Sequence, residues 1–232
     1  MKALFITATG TGLGKTLITV ALAHQIRQKG EEVRVLKPLV TGFDADEMTG
    51  SDPAILLRAA GQAVDDKAIE RLSPFRFAAP LAPLEAAAKE GRHLSFDKVL
   101  EFCRRTVAES SATLLIEGLG GAFVPLGGGR TIAELIAALD IPALVIGGSY
   151  VGCQSHMIAT CRALEGAGVS CTAILVNRQP ADGPPVAETA AALGPCCGAL
   201  PILTVGRLSG PGPLWEQVPD LTKALRLGEH LV

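Results

Sequence analysis

The chain lacks an excess of either charge. Its 21 Lys and Arg face 23 Asp and Glu, giving a formal net charge of −2. That balance argues against a nucleic-acid or anionic-membrane partner, both of which select basic faces. No stretch has the length and purity of a membrane span. Ala143 to Gly148 is apolar but short, and a proline and glycines bound it, so it reads as a buried strand. The first ten residues are too short an apolar run for a signal peptide and lead into a glycine-rich loop, so a cytoplasmic protein is expected. Six cysteines are present, but none forms a Cys-x-x-Cys pair, and no His/Cys group has zinc spacing. Reduced thiols are expected in a chain too long to need staples. Vicinal Cys196-Cys197 reads as an incidental pair or a redox one. His24 falls on a helix face, His93 in a loop and His230 in the tail. Repeats and low-complexity linkers are also missing. With 48% hydrophobic and 19% charged residues, global disorder is excluded. A length of 232 residues suits one large α/β domain.

What is present is alternation. Apolar runs at Leu4 to Ala8, Val33 to Leu36, Thr113 to Ile116, Ala143 to Gly147, Cys171 to Val176 and Gly198 to Leu203 read as strands. Between them, helices are predicted over Lys15 to Lys29, Pro53 to Ala60, Phe96 to Glu109, Thr131 to Leu139, Ser155 to Gly166 and Val186 to Leu193. Leu17, Val20, Ala21 and His24 would share one side of the first helix, and Ser95 would cap the third. Continuous apolar strands joined by helices imply a mostly parallel sheet covered on both faces, hence a three-layer fold. In such sheets, ligands bind beyond the C-terminal strand ends. Thr9 to Thr16, Lys37, Glu117 and Asn177 all fall at those ends.

The strongest local signal is Ala8-Thr9-Gly10-Thr11-Gly12-Leu13-Gly14-Lys15-Thr16, between a strand and a helix. Glycines let backbone N–H groups face phosphate oxygens, and the helix N-terminus adds a positive dipole end. Lys15 would bridge the terminal phosphates and Thr16 would ligate Mg²⁺. The strict Walker pattern wants glycine where Thr9 stands. A plain glycine turn and a dinucleotide loop on Gly10-Thr11-Gly12-Leu13-Gly14 are the competing readings, and Gly-Lys-Thr favours a nucleoside triphosphate.

Each strand-end residue has a bland reading too. Lys37 is a surface lysine or a cation that neutralises a transferring phosphoryl group. Asp52 is a helix cap or a ligand. Glu117 ends a buried strand, where a carboxylate needs a partner; Mg²⁺ would serve, and a solvated turn is the alternative. Asn177 is a turn former or a reader of an adenine edge.

Four segments carry a resemblance. Thr-x-Thr-x-x-Gly-Lys-Thr at Thr9 to Thr16, Lys37-Pro38-Leu39-Val40-Thr41-Gly42, Ser51-Asp52, and Glu117 to Leu126 with Gly118-Leu119-Gly120-Gly121 and Pro125 resemble the dethiobiotin synthetase family. The resemblance extends to about residue 204, and the segment from about 205 to 232 matches poorly. The resemblance implies a single P-loop NTPase domain that binds ATP and Mg²⁺. It implies catalytic roles for Lys37, Lys15 and Thr11. Nucleotide contacts are implied at Gly12, Leu13, Gly14, Lys15, Thr16, Leu17, Asp52, Glu117, Gly118, Leu119, Gly120, Asn177 and Arg178. The Gly198-Ala199-Leu200-Pro201 segment adds Pro201, Ile202 and Leu203 at the base. Mg²⁺ would be held by Thr16, Asp52 and Glu117. Thr41, Pro80 and Ser155 would meet the substrate, Ser155 across a homodimer interface. The chain departs from the family's usual residues at Ala8 (glycine), Gly12 (often glutamate), Leu119 (alanine), Tyr150 (commonly lysine) and Ser155 (asparagine).

The activity so implied is closure of a ureido ring on 7,8-diaminononanoate with CO₂ at the expense of ATP, in biotin biosynthesis. The competing expectations are a related amidoligase acting on another carboxylate and a nucleotide-dependent switch of the partitioning type. The first usually carries an added glutaminase domain. The second favours a lysine early in the loop, where this chain has Gly10.

Overall fold

A computed structural model describes residues 2–178 and 183–227. His230 falls outside the described residues. In chain order the elements are β1 (Ala3–Ala8), α1 (Lys15–Gln28), β2 (Val33–Leu36), β3 (Leu39–Thr41), α2 (Asp52–Ala59), α3 (Asp66–Leu72), β4 (Phe75–Phe77), α4 (Pro83–Lys89) and α5 (Phe96–Glu109). They continue as β5 (Thr113–Glu117), β6 (Pro125–Gly127), β7 (Arg130–Thr131), α6 (Ile132–Leu139), β8 (Ala143–Gly148), α7 (Cys153–Gly166), β9 (Cys171–Asn177), α8 (Val186–Leu193) and β10 (Ile202–Val205).

Six strands form one sheet in the order β10-β9-β8-β1-β5-β2. Every pairing in it is parallel. Alternation along β1 divides the core. Leu4, Ile6 and Ala8 pack with α1 residues Ile18, Leu22 and Ile26 on one face. Ala3 and Phe5 pack with Val99, Cys103 and Ile136 from α5 and α6 on the other. Strands buried on both faces need no polar alternation, which is why they read as continuous apolar runs. Each fully buried Leu or Ile contributes about 1.5–3 kcal/mol relative to exposure.

Caps fix several helix starts. Ser95 accepts from Lys98 N at 3.5 Å and opens α5, as expected. Thr131 caps α6 and Glu134 reaches back to Thr131 N at 2.7 Å, a reciprocal capping box. At α2 the cap alternative for Asp52 fails. Ser51 is the cap, accepting from Ala54 N at 3.4 Å, and Asp52 is inside the helix with its carboxylate free for other partners. The one-sided reading of α1 is also corrected. Ile18, Thr19, Leu22 and Ala23 are buried besides Val20 and Ala21, while Leu17 and His24 are half-buried. This helix is covered from two sides, since a C-terminal strap packs behind it.

That strap is residues 206–227. Gln25 Nε2 donates to Val218 O (3.1 Å) and Pro219 O (2.9 Å), and Gln25 Oε1 accepts from Leu221 N (3.0 Å). Lys29 pairs with Asp220 at 3.0 Å. Val218, Leu221, Leu225 and Leu227 join the core cluster of α1. The last strand differs from the expected Gly198 to Leu203. Gly194–Cys196 is a short 3₁₀ turn, and β10 begins only at Ile202. Two short ladders, β3 with β4 and β6 with β7, were too brief to show a period. No helix among the described residues is long and apolar enough to cross a membrane.

Candidate active site

The C-terminal ends of β1, β5 and β2 lie side by side, and their loops form the site. After β1 the chain turns through Thr9 to Gly14 and enters α1, whose cap residue Gly14 has φ 90° and no side-chain cap. A β-carbon there would strike Asn177 Nδ2 at 2.3 Å, so both the conformation and the space demand glycine. The loop after β5 lies against this turn. Gly118 N donates to Ile6 O and Ala122 N to Ala8 O, each at 2.9 Å. Gly121 lets the two backbones meet, since a β-carbon would sit 3.3 Å from Thr9 and Gly10 backbone atoms.

Into this corner point two lysines, one hydroxyl and two carboxylates. Lys37 is 4% exposed, so the surface-lysine alternative fails. Its Nζ donates to Glu117 Oε1 at 2.8 Å and to Thr16 Oγ1 at 3.5 Å, and it pairs with Asp52. Thr16 Oγ1 also donates to Glu117 Oε1, at 2.8 Å. Glu117 is 1% exposed, and its Oε2 is buried without a hydrogen-bond partner. Burial works against the Lys37 charge, but Glu117 and Asp52 outweigh it and the pKa is raised. Lys15 donates to Gly10 O at 3.3 Å. Its pKa is lowered to about 8, first by burial and further by the nearby Lys37 charge, against the pull of Glu117 and Asp52.

The backbone of Lys37 is clamped by residues that the sequence did not single out. Its N–H donates to Leu72 O at 3.2 Å. Its carbonyl accepts from Ser73 Oγ at 2.6 Å, and Ser73 is fully buried. Phe75 N donates to Pro38 O at 3.1 Å. The sequence signal available for Ser73 was only a helix-ending Leu-Ser-Pro, which says nothing about a partner 36 positions away.

A cleft of about 820 Å³ opens from this corner, lined by Thr11, Gly12, Lys15 and Thr16 on one wall and by Thr41 and Pro80 on another. Gly118, Leu119 and Gly120 also line it. Gly42 N bonds Ala79 O at 3.1 Å, which brings the Thr41 and Pro80 loops together. Leu13 and Leu17 face the core instead. Asn177 is 6% exposed, and its Nδ2 donates to Leu13 O at 2.9 Å, joining the phosphate loop to β9. Arg178 Nη1 bonds Gly183 O (2.7 Å) and Pro184 O (2.8 Å).

Pro201, Ile202 and Leu203, expected at the base, lie just before and at the start of β10. Ile202 pairs with Ile174 near the start of β9, and Pro201 O accepts from Ile174 N. Val205, not Pro201, is level with Asn177, so the residues that leave β10 on the phosphate-loop side are those after Val205. A proline before a short strand marks its start, not its end. Ser155 is exposed on the first turn of α7 and does not line the cleft.

A parallel six-stranded sheet with a glycine-capped helix after β1 and a lysine-threonine pair at that helix start defines a P-loop NTPase. The same fold, at low identity, is seen in a ParA family ATPase from Chlorobium tepidum TLS (TM-score 0.52, 14% identity, 89% of this chain and 85% of that chain). It is also seen in the MinC:MinD complex of Aquifex aeolicus (TM-score 0.51, 16% identity, 99% and 87%). The chain belongs to the dethiobiotin synthetase family, being 38% identical over 233 residues to the ATP-dependent dethiobiotin synthetase BioD of Caulobacter sp. (strain K31), covering 100% of this chain and 95% of that protein. It is 40% identical over 190 residues to the protein so named in Caulobacter vibrioides (strain NA1000 / CB15N), with 82% and 85% covered. For Acidiphilium cryptum (strain JF-5) the identity is 36% over 202 residues, with 87% and 91% covered. The sequence model of a family described as an AAA domain matches residues 2–209.

Proposed function

We propose that this protein is an ATP-dependent dethiobiotin synthetase, a ligase that carboxylates 7,8-diaminononanoate with CO₂ and closes the ureido ring. The observation that supports it most is the convergence of Lys15 and Lys37 with Thr16, Asp52 and Glu117 at the mouth of one cleft. The triphosphate would lie along the turn from Gly12 to Thr16, its terminal phosphates between the two ammonium groups. Thr11, beside that turn, and Thr41, with Pro80 behind it, would face the transferring phosphoryl group and the amine end of the substrate.

The donor set fits Mg²⁺. Thr16 Oγ1, the Asp52 carboxylate and the orphaned Glu117 Oε2 are hard oxygens, and the Lys37 ammonium already marks their corner as a place for positive charge. When bound, Mg²⁺ would neutralise phosphate charge.

In the reaction so read, one amine and CO₂ give a carbamate. Its oxygen takes the γ-phosphoryl group from ATP, and ADP leaves. The second amine then attacks the carbonyl carbon, the C–O bond to phosphate breaks, and phosphate departs as the ring closes. Lys15 and Lys37 stabilise the equatorial charge of the phosphoryl group, and the two loops hold donor and acceptor in line. Asn177 and the residues after Val205 form the base side. Ser155, exposed and away from this cleft, would serve the cleft of a second copy, so we infer a homodimer. The chain acts as one domain that includes the strap, and in the cytoplasm.

ADP release with and without 7,8-diaminononanoate and bicarbonate tests the reading. Release that needs both, with dethiobiotin formed in equal amount, is expected. Release indifferent to them would indicate a nucleotide switch and overturn it.

A further inference from the structure

Three arginines stack on phenylalanine rings. Arg76 lies 5.3 Å from the ring centroid of Phe43, Arg92 4.5 Å from that of Phe77 and Arg130 3.9 Å from that of Phe96. Arg130 pairs with exposed Asp97, and Arg92 with Glu90. Arg76 differs from both, because it bonds a residue that itself holds Lys37. Its Nη1 donates to Ser73 O, and Ser73 Oγ donates to Lys37 O at 2.6 Å. Its Nη2 pairs with Glu70, near the end of α3, at 2.5 Å.

Ser73 is tied at every polar group. Its N–H donates to Ile69 O at 2.7 Å, its carbonyl accepts from Arg76, and its hydroxyl donates to Lys37 O. A fully buried residue held three ways keeps its hydroxyl in one direction. Arg76 is also paired with Val40 in the β3-β4 ladder, so its backbone flanks the run from Lys37 to Thr41. Phe43, against which the guanidinium stacks, donates its N–H to Phe77 O at 3.0 Å. One planar cation thereby joins α3, β4 and the segment after Thr41. Arginine suits the place because its fork donates in two directions while its face stacks on a ring; a lysine is a single point of charge. Arg76 does not line the nucleotide cleft.

We propose that Arg76 is a positioning residue of the reaction: it fixes Ser73, and through Ser73 the backbone from which Lys37 reaches the phosphoryl group. This rests on the reading of Lys37 as the cation at that group. Without the guanidinium, the Ser73 carbonyl loses its donor and the hydroxyl its fixed direction, and the Lys37 ammonium moves relative to Glu117 and Asp52. A misplacement of about 1 Å at a reacting group can cost about 10²-fold in rate. The phosphate loop is carried by β1 and α1, so ATP binding should persist. A cavity of about 560 Å³, lined by Phe43, Met48, Ile69, Glu70 and Arg76 itself, gives a free guanidinium ion a route to the space that the side chain would leave.

The test compares ADP release by the parent chain, Arg76→Ala, Arg76→Lys, Lys37→Ala and the double variant of Arg76→Ala with Lys37→Ala. Arg76→Ala should lower kcat about tenfold with KM for ATP held within about twofold. Arg76→Lys keeps the stem and the charge, and should show a smaller fall of the same kind with the melting temperature kept. Millimolar guanidinium chloride should raise kcat of Arg76→Ala about threefold or more, and sodium chloride of equal ionic strength should not. In the Lys37→Ala background, Arg76→Ala should add no more than about a twofold loss, because its effect passes through the lysine. A kcat within about twofold of the parent in both Arg76 variants overturns the proposal. So does a full loss in the Lys37→Ala background, or a loss shared equally by kcat and KM that guanidinium leaves untouched. Should Arg76→Ala not fold, Arg76→Lys decides by the same split of kcat from KM. Lys37→Ala at the parent's rate would defeat the reading of Lys37 and this inference with it, whereas a large drop there with both Arg76 variants unaffected defeats this inference alone. If ADP release by the parent ignores the diamine, the substrate assignment fails and the same ratios are read from that release.

Discussion

The two halves of the sheet rim carry different chemistry. Beyond β1, β5 and β2, charged groups are packed against one another: Lys37 on Glu117 and Asp52, with Lys15 close enough to feel all of them. Beyond β9 and β10 the groups are neutral or already committed, Asn177 to Leu13 O and Arg178 to two carbonyls. On the proposed reading the first half meets the transferring phosphoryl group, which spreads negative charge and needs preorganised cations, held in place at a cost in desolvation. The second half, read as the base side, would meet a group that carries no charge and needs only shape and hydrogen bonds. The first half should therefore govern kcat, and the second KM for ATP.

The strongest way to break that contrast is Lys37→Ala. It should lower kcat by about 10²–10³-fold while ATP still binds, as for other removed electrostatic donors. Turnover within a few-fold of the parent would sink the role. Because the change leaves Glu117 buried beside a lost partner, a melting curve must accompany it. Glu117→Gln is next. It removes a carboxylate but keeps the volume, and kcat should fall about tenfold or more while the Mg²⁺ concentration for half-maximal rate rises. An unchanged Mg²⁺ requirement would remove Glu117 from the proposed ligand set.

Much of the charged half was legible. Gly14, Lys15 and Thr16 announce their geometry because one motif supplies turn, helix start and polar side chains together. Lys37 and Glu117 were found because each follows a short apolar run, and the parallel sheet aligns such ends. Asp52 was legible as a residue but not as an element, since Ser51 took the cap. What could not be read was support from a distance. Ser73 holds Lys37 through one buried hydroxyl, and its sequence neighbours carry no trace of that. The last strand was placed too early because Gly198 to Leu203 is apolar throughout, so its limits depend on register against β9, a tertiary fact. For the same reason β3 and β4, at three residues each, left no pattern.

Ser73→Ala sharpens the comparison from inside the charged half. The Lys37 carbonyl would be left buried and unpaired, a cost of about 1–3 kcal/mol. The lysine would lose its fixed aim, and kcat should drop about tenfold with KM for ATP held. A matching rise in KM would mean general loosening of the site. Asn177→Ala probes the other half. It removes an amide worth about 1 kcal/mol and should raise KM for ATP up to about tenfold with kcat kept. A collapse of kcat there would show that the tie to Leu13 O supports the phosphate loop itself, and the two halves would no longer be separable.

The smallest effect on chemistry is expected behind α1. Gln25 ties the strap to the helix that begins at Lys15 through three hydrogen bonds, to Val218 O, Pro219 O and Leu221 N. Losing them in Gln25→Ala should cost about 1–3 kcal/mol, because two strap carbonyls and one N–H lose their partner and regain water only in part. The strap also buries Leu221 and Leu225 against α1, and Leu225→Ala should cost about 2–5 kcal/mol on cavity grounds. If the strap is integral to the one domain, both variants should unfold in a single transition at lower urea, with kcat and KM near those of the parent, since none of these groups lines the cleft. Two separate transitions would make the strap an independent unit. A fall in kcat without a fall in stability would instead make it a determinant of how α1 presents Lys15, and would tie the least motif-like part of the chain to its most motif-like one.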